Sequence, residues 1–118
     1  MDPIEINAGT AYLRQLRADD LLDDRDALRA NGCEDPDAYI ATRAADWQAD
    51  TAYVWAIAEP ATGALLGEVG LVDLHEGTAR TLCWLVPEER GKDSEQTALD
   101  SVRRFGFDAL NLHRIHST

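Results

Sequence analysis

The chain has 118 residues, 45% hydrophobic and 28% charged, which suits a single domain with a core of its own. Its net charge of -11 disfavours nucleic acid and anionic membrane surfaces as partners, because both would repel it, and suits an amine-bearing one. No stretch is apolar for long enough to span a membrane.

The opening MDPIEINAG lacks a basic start and an apolar run, so it does not read as a secretion signal. Residues 1–9 are expected to be a loosely held lead-in. Tyr12, Leu13 and Leu16, with Arg14, Gln15 and Arg17 between them, predict a first strand. Ala18-Asp19-Asp20 should cap a helix reaching about Arg29, with Leu21, Leu22, Ala27 and Leu28 on its apolar side. Its acidic run Asp19, Asp20, Asp23, Asp24 and Asp26 reads either as a solvated helix face or as an amine-attracting rim. Asn31-Gly32 ends that helix, and Asp35-Pro36 opens a second one carrying Tyr39, Ile40, Ala44 and Trp47.

Three strands follow, Tyr53–Ala58, Leu65–Leu74 and Ala79–Val86, joined by turns at 60–63 and at Glu76-Gly77 short enough to demand antiparallel hairpins. Ala98, Leu99, Val102, Phe105, Ala109 and Leu110 recur at helical spacing, so 94–110 reads as an amphipathic helix. Asp93 is its expected N-cap, with Gln96 three residues on, and Asn111 its stop. A last strand is expected over 112–118. The order is β-α-α-β-β-β-α-β, a mixed α/β domain spanning 1–118 with a mostly antiparallel sheet flanked by helices. A strand that feeds a helix through a tight charged turn aims backbone N–H groups at one point, which favours an anion such as a phosphate.

Several runs carry a family resemblance: LRQLRADD, the hairpin EPATGALLGEVGL, then TARTLCWLVPEERGK and the final LHRIHST. Together they resemble the GNAT superfamily of acetyl-CoA-dependent N-acetyltransferases, in the branch of the ribosomal-protein N-terminal alanine acetyltransferases. Thr62-Gly63, Leu66, Gly67, Val69, Gly70 and Leu71 match its hairpin, and Trp84, Pro87, Arg90, Gly91 and Lys92 its next strand and turn. The resemblance implies a GNAT-like sheet, acetyl-CoA as co-substrate without a metal, and a primary amine as acceptor, on a small molecule or a peptide such as a protein N-terminus. It implies that the backbone at Leu85 and Val86 pairs with the pantetheine arm. The turn Arg90, Gly91, Lys92, Asp93, Ser94 and Glu95 would then cradle the pyrophosphate.

Three departures accompany it. Asp93 and Glu95 stand where the family has small residues, and an N-cap role for Asp93 would occupy N–H groups that a phosphate needs. Arg80 stands where an acidic residue is usual, and reads as a solvent-facing strand residue. The family also continues beyond the position of Thr118 with a helix, two strands and its usual general acid.

Acetyl transfer needs a base for the ammonium proton. Glu68 is the carboxylate candidate, against the alternative of an exposed strand residue. His75 beside Glu76 reads as a solvated loop histidine. Cys83, mid-strand and with no base in view, reads as packing, and with the distant Cys33 it suggests no disulfide framework but a reducing cytoplasm. His113 and His116, three apart on a strand, would point to opposite faces and share no metal ion. Trp47, Trp55, Trp84 and Phe105 read as core aromatics. Two functions stand: an N-acetyltransferase acting on a primary amine, or a non-catalytic relative serving as a binding or oligomerisation module, for instance a homo-oligomer pairing through an exposed 112–118 edge strand.

Overall fold

The computed structural model describes residues 1–117. It holds a six-stranded sheet in chain order: β1 (Ile6–Asn7), β2 (Tyr12–Arg14), β3 (Tyr53–Ala58), β4 (Leu65–His75), β5 (Thr78–Leu85) and β6 (Arg114–His116). All neighbours are antiparallel except β5 and β6, which α3 (Asp93–Asp108) joins by a crossover and which therefore run parallel. Helices α1 (Arg25–Ala30) and α2 (Pro36–Ala49) lie between β2 and β3.

Alternation along the strands sorts the side chains onto two faces. Leu13, Trp55, Ile57, Val69, Leu71, Ala79 and Leu85 pack with Ala98 and Val102 of α3. Leu16, Ala56 and Leu65 pack with Leu28 of α1 on the other face, where Tyr39 and Ile40 of α2 join them. Covered on both sides, β3 is a continuous apolar run with every residue buried. Trp47, from the last turn of α2, stacks edge-on to Trp55 with centroids 5.0 Å apart and donates its indole N–H to the Val54 carbonyl at 3.1 Å.

The hairpin turns and α2 follow the sequence reading. Asp35 accepts from the Ala38 N–H at 3.1 Å, Pro36 takes the first helical position, and Glu76-Gly77 makes its turn with φ of 47° and 80°. Four expectations need correction. The lead-in is anchored: Ile6 and Asn7 pair with Leu13 and Tyr12, and the Met1 ammonium donates to the Trp47 carbonyl at 2.6 Å and meets the Asp50 carboxylate at 2.9 Å. The first helix starts about five residues late because residues 19–24 are a loop held by its own carboxylates, with Asp19 accepting from the Leu21 and Leu22 N–H groups. Asp24 is buried rather than on a wet face, gripping Arg14 through two bonds of 2.8 and 2.9 Å and the Arg17 N–H at 2.7 Å. The last strand is only Arg114–His116; of the expected 112–118 span, Thr118 lies outside the described residues.

Candidate functional site

Val86 donates its N–H to the Leu66 carbonyl at 2.8 Å. Peptide groups alternate along a strand, so Leu85 and Cys83 turn theirs to the opposite edge. On that edge β6 pairs with Thr78, Ala79 and Arg80, and among the described residues no strand pairs with β5 beyond them. The backbone from Cys83 to Leu85 therefore faces an opening. Of the two residues expected to offer backbone groups, Leu85 turns its N–H to the opening, while the Val86 N–H goes to Leu66 and its carbonyl takes the Glu89 N–H at 3.0 Å.

Above this opening a 3-10 turn, Pro87–Glu89, leads into α3. Arg90 folds back and donates from Nε to the Leu85 carbonyl at 3.3 Å. Gly91 adopts a φ of 79°, a left-handed value glycine accepts freely, and a Cβ there would meet nothing within 4 Å. The helix start differs from expectation. Lys92 is the N-cap, without a capping side chain, so Asp93 is the first helical residue and leaves the N–H groups free of its carboxylate. Gln96 instead bonds Asp100 at 2.8 Å. Glu95, at the third helical position, reaches back to the Gly91 N–H at 3.4 Å. Lys92 is drawn to Glu89 at 3.3 Å. Ser94 is buried and its hydroxyl has no partner.

Acetyl-CoA, implied by the resemblance, can be tested against these residues. The backbone fits: a strand edge unpaired among the described residues, an open left-handed glycine, the N-terminus of a sixteen-residue helix and beside it a hydroxyl with no partner among the described residues. The side chains oppose it in charge, because Glu88, Glu89, Asp93 and Glu95 outnumber Arg90 and Lys92. The Glu95 bond to Gly91 is long enough that an anion can displace it. The backbone thus suits the group, and the side-chain charge opposes it.

On the helical face of β5 opposite α3, a groove of about 700 Å³ opens between the α1–α2 turn, α2 and the end of β5. Tyr39 and Trp84 line it, as do Leu85 and Arg90, and Glu34 and Asp35 bring negative charge to it. Trp84 is thus a groove residue, not a core one. Behind it lies Glu68, 0% exposed and not the exposed strand residue considered above. Its carboxylate accepts from Trp84 Nε1 at 2.9 Å, from Arg43 Nε at 3.0 Å and from the Tyr39 hydroxyl. Arg43 also donates to the Tyr39 oxygen at 2.7 Å, and its guanidinium lies 4.9 Å from the Tyr39 ring centroid. Burial, and then the bond to Glu68, pushes the Tyr39 phenol up to about 12. Tyr39 and Arg43 escaped the sequence reading. The only signal was their spacing of four on α2, which puts them on one helix face.

The other candidates lie apart. Cys83 is half-buried, and burial, followed by the nearby Glu95 carboxylate, pushes its thiol up to about 11. His75 is exposed beside Glu76, and Arg80 is a surface residue paired with Asp73 at 2.8 Å. His113 sits 3.2 Å from the Glu76 carbonyl oxygen. Among the described residues no three His, Cys, Asp or Glu side chains are grouped to hold a metal, and no helix is long and apolar enough to cross a membrane.

The GNAT acetyltransferase domain profile matches residues 11–118. Among solved structures the chain is similar to a proposed ribosomal-protein-serine acetyltransferase from Vibrio cholerae, at 20% identity and a TM-score of 0.84, over 99% of this chain and 75% of that one. It is also similar to the ribosomal-protein-S5-alanine acetyltransferase of Vibrio fischeri, at 16% identity and TM-score 0.75, over 97% and 73%. A third likeness is the dodecameric spermidine N-acetyltransferase of Vibrio cholerae, at 21% identity and TM-score 0.70, over 92% and 68%. At these identities the likeness speaks for the fold. No curated protein matches the sequence.

Proposed function

This chain belongs to the GNAT acetyltransferase family, and from that premise we propose that it transfers the acetyl group of acetyl-CoA to a primary amine. The observation that carries the proposal is the edge of β5 at Cys83 to Leu85, unpaired among the described residues and close to the first turn of α3. When bound, acetyl-CoA would supply an acetyl thioester open to attack by nitrogen. The chain's own residues do the rest by position. The Cys83 peptide groups and the Leu85 N–H would offer strand-like pairing to an extended amide-bearing arm, the Leu85 carbonyl being already bonded to Arg90 Nε. The Asp93 and Ser94 N–H groups, and that of Gly91 once Glu95 is displaced, would hold the anionic end with the Ser94 hydroxyl and the Arg90 and Lys92 charges. The Lys92 and Glu95 N–H groups already donate to the Glu89 and Lys92 carbonyls.

The groove on the α2 side of β5 would take the acceptor. Its aromatic walls and the carboxylates Glu34 and Asp35 suit an ammonium group, which must shed a proton before its nitrogen can attack. The likeness to the ribosomal-protein acetyltransferases supports a protein N-terminus as the acceptor.

Isothermal titration with acetyl-CoA tests the reading, followed by mass-spectrometric detection of acetylated peptide amines. Micromolar binding that weakens in Arg90→Ala, with acetyl appearing on an α-amine, is the expected result. No heat at millimolar acetyl-CoA would sink it. One observation favours a second reading, a family member that keeps the fold and serves as a binding module: Glu95 already occupies the Gly91 N–H. The same titration separates the two.

A further inference from the structure

We propose that Glu68 is a positioning residue: from behind the groove its carboxylate holds Tyr39 and Trp84 as two fixed walls, and so sets how tightly an acceptor amine is bound. This rests on reading the groove as the acceptor site.

The argument begins from where the residue stands. Glu68 projects from the middle of β4, opposite Ala56 on β3 and Trp84 on β5, against the apolar cluster of Leu16, Leu28 and Leu65. A carboxylate there is costly unless its partners are complete. What the carboxylate adds is geometry. It gathers donors from two separate elements, Tyr39 and Arg43 of α2 and Trp84 of β5, and fastens the helix to the strand across the groove floor. Arg43 closes the set by donating to the Tyr39 oxygen and lying over the Tyr39 ring.

Tyr39 and Trp84 line the groove; Glu68 and Arg43 do not. With Glu68 0% exposed, an acceptor nitrogen cannot touch it. Among the described residues its links to the groove are the Tyr39 hydroxyl, whose proton is already donated to Glu68, and the Trp84 indole N–H. With its proton turned to Glu68 and its oxygen accepting from Arg43, the Tyr39 hydroxyl is fixed away from the groove, and the ring serves as a wall. Without Glu68 the Trp84 indole N–H loses its partner and the ring is free to turn toward water.

The test uses the full chain as wild type, Glu68→Gln and Tyr39→Phe. The Trp84 indole resonance is identified in ¹H–¹⁵N spectra by its loss in Trp84→Phe. Glu68→Gln should shift that resonance and speed its hydrogen exchange. It should also raise the acceptor KM about tenfold while kcat stays within about threefold and its pH dependence does not move. Tyr39→Phe, which keeps the ring and drops one donor, should give a smaller change of the same kind. A kcat loss of about a hundredfold or more at unchanged KM, or loss of the acidic limb of the pH–rate profile, would make Glu68 a base and overturn the proposal. An unmoved Trp84 resonance in Glu68→Gln would overturn it too. If the wild type turns over no amine, acetyl transfer fails as a reading. The resonance then decides the positioning role by itself, a shift supporting it and no shift overturning it.

Discussion

Replacing Glu95 by alanine should tighten acetyl-CoA binding, by an amount that follows from the helix start. Glu95 is half-buried at the third position of α3, and its carboxylate takes the Gly91 N–H at 3.4 Å. Two unit charges roughly 6 Å apart interact by about 3 kcal/mol at an effective dielectric near 20. Partial exposure and ~0.15 M salt reduce that to about 1.4 kcal/mol, or about tenfold in Kd. Against this stands the favourable meeting of Glu95 with the helix dipole, about 0.5 kcal/mol, so the variant should melt about 2–3 °C lower. The assay is calorimetric titration of wild type and Glu95→Ala at low salt and at about 0.5 M salt. Tighter binding by the variant at low salt, with the gap closing to about threefold at high salt, is expected. Equal affinities within twofold, or a gap indifferent to salt, would refute the electrostatic reasoning. Asp93→Ala should gain less, about threefold, because Asp93 is exposed and holds no N–H of the turn.

Asp24→Ala should cost about 3–5 kcal/mol in chemical denaturation, since it strands the buried Arg14 guanidinium, while Arg14→Met combined with Asp24→Leu should recover most of the loss. Burial first, and then carboxylate partners, push the Tyr39 and Tyr53 phenols up to about 12 from an ordinary 10.0. The unfolded chain releases these protons near 10 and the folded chain near 12. The folded state therefore holds more protons across that interval, and stability present below pH 10 should fall as pH rises through it. Phenolate absorbance followed alongside circular dichroism measures both, and phenols ionising at 10 in the folded protein would contradict this. Alkylation of Cys83 at pH 8 should run at least about tenfold slower folded than denatured, read by mass spectrometry; equal rates would deny the raised thiol.

Much of this protein is written locally. Asp35-Pro36 opens α2 and Glu76-Gly77 turns the β4–β5 hairpin because caps and left-handed turns depend on residues within three or four positions. The parallel pairing of β5 with β6 follows from a crossover helix long enough to return the chain to the same end of the sheet. The fates of the carboxylates were decided elsewhere. Asp24 sits in an acidic run and its partner is Arg14; Glu68 alternates properly on a strand, and its donors lie 16 to 29 residues away. A side chain's sequence neighbours set its face but not who stands opposite it, and only packing brings a buried charge to its counter-charge. The helix start shows the same division. The turn was legible, yet which carboxylate crosses it depended on one residue of register, which made Lys92 the cap and put Glu95 within reach of Gly91.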